Sequence, residues 1–268
     1  MWKDVKETHR AAGMLVRALP IVVGAAVAIE GAQHLVEWQL GMYSGLEAAA
    51  AVEAHPLRMG FGYAKTGILF LVCYFAWRHL AWGDEARTLR VDPRAMALFA
   101  PVLMFNLLMV LAQNAGGDLL SGVLEGRALF LAGFAAMLGA MAFELLFAPW
   151  KVASAVGNAR VDLGASLRIM SGQVGRSFLF NLAVLVPAMV LHYALGIGAM
   201  FAPAAVSAAL LALDTLFVGY MAMLLPAIDF AVAKRATDEA QVSLAEDDRT
   251  TDYAHVLLRK QEPSRAGR

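Results

Sequence analysis

An all-α membrane protein with six transmembrane helices in one bundle is the fold that this sequence predicts. Of its 268 residues, 60% are hydrophobic and 16% are charged, whereas soluble domains are about half apolar and about a quarter charged. The mean hydropathy is +0.60. This apolar excess indicates a surface that faces lipid, and six separate segments are long enough to cross a bilayer.

Each of these segments has about the 20 mostly apolar residues that a spanning helix requires. Charges, prolines or glycines mark their ends. In chain order, the predicted spans are about 13–40, 59–82, 95–113, 127–149, 177–198 and 203–232. The six-helix domain therefore covers residues 1–233, and the charged segment 234–268 is expected to form a polar cytoplasmic tail.

Basic residues predict the orientation of the chain. Lys3, Lys6 and Arg10 precede the first span, and the second connection, the fourth connection and the tail are also basic. The first, third and fifth connections hold only Arg58 and Arg127, at helix edges. Because positive loops are retained on the cytoplasmic side, both termini are expected in the cytoplasm.

Three classes of function are disfavoured by the composition and by missing motifs. The net charge is zero and the basic residues form no patch, which argues against nucleic-acid binding. The only cysteine, Cys73, excludes an intramolecular disulfide and a cysteine-based zinc site. There is no G-x-S-x-G elbow, phosphate-binding loop or H-E-x-x-H helix, so a non-enzymatic role is favoured.

The fourth connection has a recognisable order of residues. Residues 148–151 (Ala-Pro-Trp-Lys) are followed by Gly157, then by 166–168 (Ser-Leu-Arg) and Gly172, and a new span begins at Ser177. This order resembles the middle of bacterial six-span inner-membrane proteins of the YciC type and of the membrane domain attached to some glycerophosphodiesterases. The resemblance implies the six-helix architecture and a location in a bacterial inner membrane, and it assigns no functional residue.

Basic residues of the same connection are candidates for contact with lipid phosphates. The segment 161–175 mixes apolar and basic side chains, as a helix in the headgroup plane does. The candidates are Lys151, Arg160, Arg168 and Arg176. The alternative is that these residues act only as a topological signal.

A polar face in the first span is the strongest functional signal of the sequence. Glu30, Gln33, His34 and Glu37 recur at helical spacing and share one face of the helix. Ionisable groups inside a membrane are costly and are a functional hypothesis by default. Counting back from the predicted outer end at 1.5 Å per residue places this face in the outer half of the membrane.

Other spans supply polar residues at a similar depth, so one polar intramembrane cluster in the core of the bundle is expected. These further residues are Lys65, Asn106, His192 and Asp214. Glu144 is expected in the cytoplasmic half instead, paired with Arg78 or Lys151.

Three interpretations of this cluster remain open. In a satisfied packing network, Lys65 neutralises Glu37 or Glu30, and His34 bonds Asp214 or Asn106. In a proton or solute pathway, the carboxylates and a titratable histidine relay protons or hold a cation. The third interpretation is a divalent-metal site. Its candidate residues are Glu30, His34, Glu37 and His192.

The leading functional expectation is a non-enzymatic accessory protein, or one that handles a lipid or small solute, with its polar site in the outer half of the bundle. The alternatives are a proton- or cation-coupled transporter and a membrane metalloenzyme. Membrane lipids are expected partners. A second membrane protein or another copy of the chain is a candidate partner.

Overall fold

A computed structural model describes residues 1–245, apart from the side chains of Asn114 and Asp118, and every regular element in that range is helical. In chain order the helices are α1 (Trp2–Ala18), α2 (Pro20–Gln39), α3 (Leu46–Val52), α4 (Pro56–Trp82), α5 (Glu85–Leu89), α6 (Pro93–Ser121), α7 (Gly126–Leu145), α8 (Ala148–Ala155), α9 (Leu163–Met170), α10 (Val174–Phe201) and α11 (Ala204–Glu239). Five helices, α4, α6, α7, α10 and α11, are long and apolar enough to cross a membrane, and the pair α1 and α2 counts as a sixth span if taken together. The predicted all-α, multi-pass fold is confirmed.

The first predicted span, about 13–40, is not one straight helix. The chain bends by 95° between α1 and α2. Leu19, at the bend, has φ −124° and ψ 53°, and Pro20 begins α2. Since a proline disfavours helical backbone at the residue before it, the break falls where the sequence permits it. α2 carries the spanning part, and α1 packs against α11.

The last helix continues past the end of its predicted span. α11 ends at Glu239 and so takes in the first residues of the predicted tail. Leu244 and Ala245 follow it and are buried, at 7% and 3% exposed. The remainder of the predicted tail, from residue 246 onward, lies outside the described residues.

α11 is the central helix of the bundle and packs against α1, α2, α4, α8 and α10. Leu211, Asp214 and Val218 lie on its buried face. Gly219 marks a close approach to α2, because a Cβ atom there would lie 2.5 Å from Val27 Cγ2. This tight contact draws the polar face of α2 towards the middle of α11.

A buried arginine holds α5 and α8 to α4. Arg78 is 2% exposed, and its guanidinium donates hydrogen bonds over 3.0–3.2 Å to four backbone carbonyl oxygens. These carbonyls belong to Arg87, Thr88, Arg90 and Ala155. The rings of Tyr74 and Trp82 lie 5.0 and 4.2 Å from the guanidinium carbon. Arg78 and its four carbonyls are called the Arg78 cage below.

α7 lies at the periphery, packed mainly against α6 and α10. Its large apolar side chains are exposed. They include Phe130, Leu131, Phe134, Met137 and Phe143. In a membrane-spanning helix such side chains contact lipid acyl chains.

Candidate functional site

Polar side chains from four helices meet near the end of α2, and they are called the polar cluster. Its members are Glu30, Gln33, His34 and Glu37 of α2, Tyr43 of the following turn, Arg58 and Lys65 of α4, His192 of α10 and Asp214 of α11. All three acidic residues are buried. Glu30, Glu37 and Asp214 are 1%, 3% and 0% exposed. Burial of three carboxylates requires compensating charge.

Local helix geometry explains how the chain builds this cluster. Arg58 and Lys65 are seven residues apart on α4, two helical turns, so both side chains lie on one face. After α2, Gly41 has φ +78°, a backbone conformation that glycine adopts readily. The 3₁₀ turn Met42–Ser44 follows and brings Tyr43 back onto the polar face of α2.

His34 lies at the centre of the polar cluster. Its Nδ1 atom is 2.8 Å from the hydroxyl oxygen of Tyr43 and 3.2 Å from Glu37 Oε2. Its Nε2 atom is 3.1 Å from Asp214 Oδ2 and 3.5 Å from Glu30 Oε1. Each ring nitrogen therefore faces at least one carboxylate.

Tyr43 sets the direction of the hydrogen bond at His34 Nδ1. The tyrosine hydroxyl donates its proton to Glu37 Oε2 over 2.7 Å, so its oxygen is an acceptor towards the histidine. Burial, together with the Glu37 carboxylate, raises the pKa of Tyr43 above its usual value, and the hydroxyl stays protonated. Both ring nitrogens of His34 thus face acceptors, an arrangement that only the doubly protonated imidazolium satisfies.

The charges of the cluster agree with a protonated His34. Lys65 Nζ lies 3.0 Å from Glu30 Oε2, an ion pair without hydrogen-bond alignment. Arg58 Nε donates to Glu37 Oε1 over 3.1 Å. Three carboxylates then face two permanent cations, which leaves one negative charge. A proton on His34 brings the summed charge of these five side chains and His34 to zero.

Asp214 joins two histidines from different helices. Its Oδ1 atom lies 2.7 Å from His192 Nδ1 and its Oδ2 atom 3.1 Å from His34 Nε2. The His192 side chain is 23% exposed, compared with 11% for His34. The series Glu37, His34, Asp214 and His192 is thus a continuous hydrogen-bonded chain that ends at a partly exposed histidine.

The structure brings together all of the predicted cluster residues except Asn106. Its amide donates to the carbonyl of Val102 in the same helix, over 3.0 Å, and α6 packs against α4, α7 and α8. Arg58 and Tyr43 also belong to the cluster. Of these two, the sequence indicated only that Arg58 lies at a helix edge. The position of Arg58 two turns before Lys65 is a sequence signal that identifies it.

The four predicted metal ligands do not surround one common point in the structure. Glu30 and Glu37 lie against opposite ring nitrogens of His34, and the recorded contact of His192 in the cluster is with Asp214. A different set could surround a metal ion. One ligand atom each from Glu30, His34 and Asp214 lie within 4.8 Å of one another.

The four lipid-phosphate candidates separate into two kinds. Lys151 is 4% exposed and lies 3.5 Å from Glu144, so it is turned away from the surface that lipid phosphates reach. The exposed members are Arg160, Arg168 and Arg176.

Comparison with known proteins finds no family model, no curated protein and no solved structure that matches this chain. The resemblance to six-span proteins of the YciC type therefore stays a prediction. By its fold and by the length and hydropathy of its helices, the chain is a multi-pass membrane protein. Buried charged residues distinguish its interior.

Proposed function

We propose that the polar cluster is the working site of the protein and that it binds and releases one proton at His34, through which the protein handles a small solute at the membrane. One observation carries this proposal. Both ring nitrogens of His34 lie against hydrogen-bond acceptors.

The energetic argument begins with the loss of that proton. Neutral His34 leaves one uncompensated negative charge among the buried carboxylates, and an unpaired buried charge costs several kcal/mol. Proton release is therefore expected to accompany the arrival of another cation or a change in helix packing. Such coupling is the use that membrane transporters make of buried carboxylates and histidines.

Asp214 provides the route by which the proton leaves. The His34 Nε2 proton passes to the Asp214 carboxylate, which becomes neutral. While Asp214 is charged, His192 Nδ1 donates its proton to Asp214 Oδ1. Once Asp214 is neutral, His192 exchanges its proton with water so that it carries one on Nε2, and its free Nδ1 lone pair accepts the Asp214 proton. The resulting imidazolium releases the Nε2 proton to water, since its side chain is 23% exposed. Arg58 and Lys65 hold the two glutamates in place during the transfer.

Liposomes test this function. Purified protein is reconstituted into liposomes that contain a pH-sensitive dye. In separate runs, the outside solution receives an acid pulse, Na⁺, K⁺ or Mg²⁺, and valinomycin clamps the membrane potential. The wild type is expected to change the internal pH in at least one condition. In His34→Gln the response should fall to that of protein-free liposomes.

The matched control is His55→Asn. His55 accepts a hydrogen bond from Leu57 N at the start of α4, a role that asparagine also fills. This variant should respond as the wild type does. If the internal pH responds in the same way for the wild type and for His34→Gln in every condition, the polar cluster is only a packing network and the proposal is wrong.

A metal-dependent function is the second candidate, favoured by the proximity of ligand atoms from Glu30, His34 and Asp214. Metal on His34 Nε2 requires that nitrogen to lose its proton, so the two functions make opposite demands on one atom. Elemental analysis of purified wild type against His34→Ala separates them. Stoichiometric metal in the wild type that is lost in the variant supports the metal site, and its absence from the wild type removes that candidate.

A further inference from the structure

The first helix lies across the bundle, away from the polar cluster. Its axis makes an angle of 95° with α2, and a helix perpendicular to a spanning helix runs along the membrane surface. Val5, Thr8, Ala12 and Leu15 form its buried face. The opposite face of α1 therefore faces the lipid headgroups.

A hollow lined by two arginines opens on that exposed side. Its lining residues are Arg10, Gly13, Met14, Arg17 and Ala18. Both arginines are exposed, and within residues 1–245 neither guanidinium has an ion pair or hydrogen bond. The space beside Gly13 is open, because a Cβ atom at this position would meet no neighbour within 4 Å.

We propose that this hollow binds the headgroup of an anionic phospholipid. Arg10 and Arg17 are seven residues apart, about 10 Å along the helix axis, and both line the hollow together with Gly13. Guanidinium groups bind phosphate oxygens through paired N–H donors. Met14 and Ala18 offer an apolar surface to the glycerol and the first methylenes of the acyl chains.

Charge complementarity identifies the occupant. The charged residues of the lining are both basic, so the hollow favours a headgroup that keeps the net negative charge of its phosphate. The choline of a zwitterionic lipid would be repelled. The hollow therefore selects phosphatidylglycerol or a related acidic lipid over phosphatidylcholine.

Native mass spectrometry of the full-length protein in detergent measures this directly, with phosphatidylglycerol titrated against phosphatidylcholine. The wild type is expected to retain phosphatidylglycerol preferentially. Each basic contact at a membrane surface is worth about 1 kcal/mol, so loss of one arginine weakens binding about fivefold and Arg10→Gln with Arg17→Gln about 30-fold.

Two controls separate a built site from general attraction to positive charge. Lys3→Gln with Lys6→Gln removes the same charge from two exposed basic residues of the same helix, outside the hollow, and should leave retention unchanged. Gly13→Leu fills the hollow without changing charge and should reduce retention, while circular dichroism confirms that the variant is helical. Equal losses in the two double variants, or full retention in Gly13→Leu, would overturn the proposal.

Discussion

The polar cluster and the Arg78 cage both bury charge inside the bundle, but their partners differ in kind. Arg78 donates to neutral backbone carbonyls at 3.0–3.2 Å. His34 contacts only ionisable side chains in the cluster. Because a carbonyl cannot change its charge, the cage has one charge state, whereas the cluster has several.

Burial alone therefore does not identify the functional site. Arg78 is as deeply buried as Glu30, at 2% against 1% exposed. What differs is the ability of the surroundings to respond to a proton or cation. The cage fixes α5 and α8 against α4, and the cluster is the region whose charge can be changed.

Removal of Arg78 is expected to cause the largest loss of stability. Arg78→Met leaves four carbonyls without their donor, two of them buried and two partly buried, and should lower the free energy of unfolding by about 3–5 kcal/mol. Arginine stays charged and carbonyls do not titrate, so the loss should be equal at about pH 6 and about pH 8. Thermal unfolding in detergent measures it. A stability loss that depends on pH would contradict the claim that the Arg78 cage, unlike the polar cluster, has a single charge state.

Asp214→Asn is expected to have the next largest effect. The substitution keeps the shape of the side chain but removes the charge that faces both histidines, with a loss of about 2–3 kcal/mol. Two carboxylates then face Arg58 and Lys65, so His34 no longer needs its proton. The liposome response should disappear. Its persistence would show that the proton does not pass through Asp214.

A double-mutant cycle tests the ion pair at the edge of the cluster. Glu30→Gln and Lys65→Met each leave an unpaired charge, but the double variant does not. Unfolding measurements should give a coupling of about 1–3 kcal/mol. Glu144→Gln with Lys65→Met is the control, since Glu144 pairs with Lys151 outside the cluster, and it should be additive within about 0.5 kcal/mol. Equal coupling in both cycles would contradict the pairing.

Tyr43→Phe should have the smallest effect, a loss of about 1 kcal/mol for one hydrogen bond. Glu37 remains as an acceptor at His34 Nδ1. A tyrosine hydroxyl is protonated up to about pH 9 in the unfolded chain, and the pKa of Tyr43 in the folded protein is raised further. The stability loss should therefore be constant between about pH 6 and about pH 9. A liposome response abolished in Tyr43→Phe would instead make Tyr43 part of the proton route.

The sequence predicted the polar face of α2 because four residues at helical spacing must share a face. Depth along each span then predicted that Lys65, His192 and Asp214 lie near it. Asn106 was placed at the same depth, but depth does not define the rotation of a helix about its own axis. Packing of α6 against α4, α7 and α8 sets that rotation.

Two other features depended on backbone geometry that hydropathy does not report. The 95° bend at Leu19 divides a continuous apolar segment, and a proline at the next position is equally compatible with a straight helix start. Tyr43 reaches His34 because Gly41 turns the chain back. The composition of the sequence could predict neither the bend at Leu19 nor the turn at Gly41.

Nitrogen-15 NMR of histidine-labelled protein tests the central claim most directly, with the His34 signals assigned from His34→Gln. At about pH 7, His34 is predicted to carry protons on both ring nitrogens. As the pH rises, it should lose one of them while the His192 signals shift in the same step, because Asp214 joins the two rings. A His34 that holds a single ring proton from about pH 5 to about pH 9 would contradict the account.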